Sequence, residues 1–166
     1  MGIYFKIKIM YINQIFFDKI EPVLVELKNK LKTDFVLFGS APLYLMGVLE
    51  FNKDSVLNDL DIALRDLSCI SQDAKEVQFR KDPNQKLYKI NIQGINVDMG
   101  SAWPGQEEIF EKIFKNPVIE RGFKFANLDI CLEWRELIVK KYGREKDIIY
   151  LEKIKQFRLK NNYDRL

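Results

Sequence analysis

The sequence predicts an α/β fold of the mixed α+β kind, a small mixed β-sheet covered by helices and finished by a C-terminal helical pair. Three observations lead to it. Several segments repeat apolar residues at helical spacing, short alternating or apolar runs rich in strand formers stand between them, and no linker or internal repeat interrupts the 166 residues. A content of 47% hydrophobic and 13% aromatic residues suits one packed domain and is unlike a disordered tail or a fibrous repeat.

In chain order, the apolar opening Gly2–Ile9 is interrupted by Lys6 and Lys8 and followed by no small-residue cleavage site, so it does not read as a signal peptide. Met10 is a second candidate start. Over 13–31, Phe16, Ile20, Leu24, Leu27 and Leu31 recur at the spacing of an amphipathic helix. The run 34–38 is a strand that stops at Gly39–Ser40, and the apolar segment 43–49 follows as a helix with Pro42 suited to its first turn. A polar loop over 52–58 leads to a strand over 59–64, in which Leu60, Ile62 and Leu64 share one face and Asp59, Asp61 and Ala63 the other. The polar stretch 68–84 is expected to be partly helical. Residues 87–92 and 95–99 flank Gln93–Gly94 as a hairpin. Pro104–Gly105 opens a helix to about Lys115. Asn127–Asp129 precede a long helix with Cys131, Trp134, Ile138 and Tyr142 on one side, and Gly143 punctuates it. The last helix sets Ile148, Leu151, Ile154 and Phe157 at a spacing of three. The expected division is one domain over 1–166, with the sheet part at about 13–125 and the C-terminal helices at about 127–160.

Composition narrows the chemistry. The chain has no histidine, which removes Ser-His-Asp and Cys-His nucleophilic sites, His-ligated zinc and imidazole acid/base catalysis. Any catalysis must use carboxylates, Lys, Arg, Tyr, Cys or a hard metal ion. Cys69 and Cys131 form no C-x-x-C pair and no framework, as expected of reduced residues in a cytoplasmic protein. No segment approaches the roughly 20 uninterrupted apolar residues of a membrane span. With 27 Lys+Arg against 24 Asp+Glu, the net charge is only +3. That excess lies in residues 133–166, whose 10 cations and 6 anions belong either to a solvated helix face or to a surface for polyphosphate or nucleic acid.

One constellation carries chemistry. Asp59 and Asp61 lie on one strand face, about 6.6 Å apart along the backbone. Asp98 stands between Val97 and Met99 on a second strand, opposite its apolar neighbours. If the two strands pair, three carboxylates share a small area, where their repulsion calls for a divalent cation, and Mg²⁺ takes oxygen ligands without needing histidine. Gly39–Ser40, between a strand and a helix, is where backbone N–H groups and a hydroxyl can approach a phosphate.

The motifs Phe38-Gly39-Ser40, Asp59-Leu60-Asp61-Ile62 and Val97-Asp98-Met99 stand in this order, followed by Lys140-Lys141-Tyr142-Gly143-Arg144-Glu145-Lys146-Asp147 in a helical context. The order resembles the nucleotidyltransferase superfamily with a DNA-polymerase-beta-like palm, in particular its minimal antibiotic- and toxin-type members, over about residues 34–157. The resemblance implies that Gly39 and Ser40 hold nucleotide phosphates, and that Asp59, Asp61 and Asp98 bind Mg²⁺ or Mn²⁺, with Asp98 also the base for an acceptor hydroxyl. Lys141, Arg144 and Lys146 are implied partners of the triphosphate, although Arg144 equally suits a structural pair with Asp147. The reaction implied is transfer of NMP from an NTP to a hydroxyl, with release of pyrophosphate; the acceptor could be a small molecule, RNA or protein. A catalytically degenerate nucleotide- or partner-binding protein on the same fold and an RNA-binding regulator using the C-terminal helices are the alternatives. Trp103, Tyr88 and Phe110 suit either an acceptor platform or the core.

Overall fold

The computed structural model describes residues 11–79, 82–101 and 105–163. The opening stretch Gly2–Ile9, Met10, Trp103 and Pro104 lie outside the described residues. Five helices and seven strands follow in the order α1 (Gln14–Leu31), β1 (Phe35–Phe38), α2 (Ala41–Leu45), β2 (Asp59–Leu64), β3 (Lys75–Gln78), β4 (Lys86–Ile92), β5 (Ile95–Gly100), α3 (Glu107–Ile113), β6 (Val118–Glu120), β7 (Phe123–Phe125), α4 (Leu128–Tyr142) and α5 (Glu145–Lys160). The strands form one mixed sheet ordered β3-β4-β5-β2-β1-β7-β6, with β2–β5 and β1–β7 parallel and the other neighbours antiparallel. This is the expected α/β architecture with its C-terminal helical pair.

Local chemistry sets the element ends. Asn13 caps α1, its side-chain oxygen accepting from Phe16 N at 3.1 Å while its amide donates to Phe51 O at 3.0 Å. Asn127 caps α4 in the same way through Ile130 N at 3.0 Å, and Gly143 at φ +59° ends it by donating to Val139 O. The β4–β5 turn has Gln93 at φ +53° and Gly94 at φ +85°, the left-handed pair that a two-residue hairpin needs.

Strand alternation divides the core into two layers. Phe35, Leu37, Leu60, Ile62, Leu64, Val97 and Met99 point to the α1 side and join Phe16, Phe17, Ile20, Leu24 and Leu27. Val36, Phe38 and Ala63 point the other way and pack with Leu43, Phe110, Leu128, Cys131 and Ile154 from the remaining helices. Asp59, Asp61 and Asp98 share the parity of this second face, so they look toward α4 and α5.

Several expectations are corrected. The helix expected over 43–49 covers Ala41–Leu45 and gives way to Gly47 at φ +75°. The polar stretch 68–84 holds one short 3₁₀ turn, Leu67–Cys69, and then β3, a sheet edge whose Lys75, Glu76 and Gln78 are exposed and so leave no apolar alternation to read. The β6–β7 hairpin carries no signal in the sequence, because strands of three residues are too short for a period. In α5 the buried stripe is Asp147, Leu151 and Ile154, whereas Ile148 is 44% exposed. The true 3.6-residue period therefore brings an acid inside where a spacing of three suggests isoleucine.

Candidate active site

The sheet register assembles the acids. Asp61 on β2 is flanked by Phe38 on β1 and by Asp98 on β5, while Asp59 pairs with Asn96. Beyond Phe38 the chain turns at Gly39, whose φ is +69° and whose missing Cβ would stand 2.4 Å from Asp61 Oδ2. No side chain fits at position 39 while the carboxylate occupies that space. Ser40 then caps α2 through its backbone oxygen, which accepts from Leu43 N and Tyr44 N; its hydroxyl makes no capping bond.

Electrostatics mark the same spot. Burial, then the negative charges of Asp98 and Asp59, push the Asp61 carboxyl up to about 7, against the opposing pull of Arg135 and Lys146. Burial also holds Asp98 above the ordinary carboxylate range, partly offset by Lys89, whose Nζ stands 3.2 Å from Oδ1 as an ion pair. That contact is an ion pair without the geometry of a directed hydrogen bond, so Oδ1 keeps hydrogen-bonding capacity to spare. The other buried side-chain atoms left without a hydrogen bond, among the described residues, are Gln106 Nε2 and Oε1, Arg135 Nε and Tyr142 Oη. All belong to residues lining one cleft of about 220 Å³. Native interiors pair nearly all of their polar groups, and the exceptions among the described residues concentrate in this cleft.

The helical pair forms the cleft's other wall. Arg135 from α4, 6% exposed, is paired with Asp147 at the start of α5, 1% exposed; Asp147 also accepts from Arg144 Nε at 2.5 Å. The ring of Tyr150 lies 5.1 Å from the Arg135 guanidinium and 5.4 Å from Lys146 Nζ. Tyr44, hydrogen-bonded to Tyr150, is pushed up to about 12 by burial and by that partner.

Of the residues expected at the site, Gly39, Ser40, Asp59, Asp61, Asp98, Arg144 and Lys146 line this cleft. Lys141 does not. Ile138 and Tyr142, four apart on α4, face the cleft, whereas the Lys141 ammonium bonds Asp82 Oδ2 at 3.1 Å and lies 5.2 Å from the centroid of the Tyr142 ring. Tyr88 and Phe110 are not acceptor platforms in this cleft: the Tyr88 hydroxyl donates to Glu76 at 3.3 Å, and Phe110 is core beside Phe114. Among the C-terminal cations, Lys155 pairs with Glu152 and Arg158 with Asp129, so much of that positive charge is locally neutralised. Arg135, Asp147, Gln106 and Tyr150 also line the cleft, without a sequence motif that assigns them to it. Arg135 had a signal, a charge on the apolar stripe between Cys131 and Ile138.

The donors here are hard oxygens, suited to Mg²⁺ rather than to soft metals. Among the described residues no group of three or more acids or thiols is arranged to hold a metal ion by itself. A Mg²⁺ held by two carboxylates together with substrate phosphates needs no such cage, and the Asp59, Asp61 and Asp98 carboxylates that line the cleft fit that partial donor set. No helix among the described residues is long and apolar enough to cross a membrane. No protein-family model matches the chain, and a comparison with curated proteins finds no match.

Proposed function

We propose that this cleft transfers NMP from a nucleoside triphosphate to a hydroxyl acceptor, with Mg²⁺ or Mn²⁺. The observation that carries the reading is the register Phe38–Asp61–Asp98, with Gly39 closed against Asp61: it gathers acids at one spot and raises the pKa of the central one, a cost that a bound cation offsets. Asp59 and Asp61 are the residues that would hold the ion, with Asp98 beside them. When bound, it supplies charge neutralisation on the phosphates and on the pyrophosphate that leaves.

The remaining work belongs to the chain. Ser40 offers the phosphate oxygens a hydroxyl free of capping duty, while Gly39, bare of a side chain, lets the Asp61 carboxylate close against the turn that carries it. Arg144 and Lys146 present cations to the same phosphates. Asp98, with its affinity for protons raised by burial, takes the proton of the acceptor hydroxyl. The acceptor oxygen bonds to the α-phosphorus as the bond to pyrophosphate breaks, and no covalent protein intermediate is required.

The test is incubation with each labelled NTP and Mg²⁺ against pooled small molecules, RNA and protein. Label is expected in one pool with the wild type and in none with Asp61→Ala, whose circular dichroism stays native. Turnover unaffected by that substitution would reject the reading. A nucleotide-binding protein that no longer transfers is the second reading, favoured by the Lys89 ion pair on the carboxylate the reaction uses. Mg²⁺-dependent binding without labelled product would select it.

A further inference from the structure

Gln106 is 4% exposed, lines the cleft with Asp61 and Asp98, and has no hydrogen-bond partner for either end of its side-chain amide. Its local duties are met by the backbone: it precedes α3, its main-chain oxygen accepts from Phe110 N at 3.0 Å, and its side chain caps nothing. A buried primary amide with both ends unmet destabilises the chain that carries it, and positions that break a packing rule in this way concentrate where a ligand completes them.

A single group that meets both ends must offer a donor and an acceptor side by side. Phosphate oxygens only accept, and a divalent cation takes only lone pairs, so either would leave half of the amide unmet. A nucleobase edge, with an N–H beside a ring nitrogen or carbonyl, satisfies both ends at once, which is how glutamine and asparagine read bases. The surroundings suit a planar heterocycle. Trp134 packs against the same core layer as Phe110, one turn beyond Gln106, and lines the cleft with it. The phosphate-facing cations Arg144 and Lys146 come from a different element, at the start of α5.

We infer that Gln106 recognises the base of the nucleotide, its amide taking the nucleobase edge through paired hydrogen bonds. This rests on the reading of the cleft as a nucleoside triphosphate site, which it extends from the phosphates to the base.

The test uses the full chain and Gln106→Met, which keeps the length of the side chain and removes both polar atoms. Calorimetry with Mg²⁺ measures ATP, GTP, CTP, UTP and inorganic tripolyphosphate, and thermal unfolding is followed without ligand. The preferred nucleotide should weaken roughly 10- to 100-fold, with the ranking of the four nucleotides lost. Tripolyphosphate affinity should be unchanged, and Tm should rise by about 2–4 °C as the unmet amide is removed. Gln106→Glu, which keeps an acceptor and loses the donor, should reorder the nucleotides. An unchanged ranking in both variants overturns the inference, as does equal weakening of tripolyphosphate, or a lowered Tm with every ligand weakened alike. A wild type that binds no nucleotide overturns the underlying reading of the site instead.

Discussion

Arg135 and Asp147 are buried against each other across the two C-terminal helices, one near the middle of α4 and the other in the first turn of α5. Asp147 lies where the α5 helix dipole favours an anion and has Arg144 as its second partner. The pair adds a charged link to the apolar packing of the two helices, and Arg135 acts from the helical wall of the cleft on Asp61.

Breaking this pair on one side leaves an uncompensated buried charge. Arg135→Ala or Asp147→Ala should each cost about 3–5 kcal/mol in urea unfolding, whereas the double change Arg135→Met with Asp147→Leu should recover most of the loss. A double variant no more stable than the singles would contradict this account.

Gly39→Ala should lose about 1–2 kcal/mol from its left-handed backbone alone, and more from the approach of Asp61 Oδ2. Because the second cost is shared with Asp61, the penalty should shrink in an Asp61→Ala background. A double-mutant cycle by chemical unfolding measures that coupling.

The pH dependence of stability has a defined sign. A carboxyl whose pKa is about 7 in the folded chain binds more protons there than in the unfolded chain, so stability falls as pH rises from about 4 to about 7. Asp61→Asn removes this fall. It should be more stable than the wild type by about 1–3 kcal/mol at pH 8 and nearly equal to it at pH 4. With no histidine in the chain, the comparison has little competing titration near neutrality. Equal stabilities at pH 8 would show that Asp61 is not held neutral by its surroundings.

Lys141 and Lys146 separate a surface ion pair from a site residue. Lys141→Ala should leave Mg²⁺-dependent nucleotide affinity unchanged, since its ammonium is turned to Asp82. Lys146→Ala should weaken that affinity, because Lys146 lines the cleft and acts on Asp61. Calorimetry on both variants checks the contrast.

The parts legible in the sequence were those with a strong local rule. Alternation around Asp59, Asp61 and Asp98 gave their common face, and the Gln93–Gly94 turn gave the hairpin that carries Asp98. What escaped had no local pattern. β3 is a polar edge, and β6 and β7 are too short to alternate. Strand pairing is a long-range choice, so the parallel β2–β5 contact that aligns Asp61 with Asp98 could be posed only as a condition. The orphaned amide of Gln106 depends on what fails to surround it, which no spacing records. Lys141 lies off the cleft lining for a simpler reason: one residue on a helix turns a side chain by about 100°.

The placement of β2 between β1 and β5 bears on which parts of the site persist when the protein breathes. Backbone amides of a strand paired on both sides exchange with solvent only through large openings, whereas those of a helix such as α5, packed on one face with Glu152, Lys153, Lys155 and Gln156 exposed on the other, exchange through smaller, more frequent ones. Floor and wall of the cleft are therefore expected to keep different clocks: hydrogen exchange should be slower in β2 than in α5, and a polyanion held by Arg144 and Lys146 should slow deuterium uptake in α5 far more than in β2.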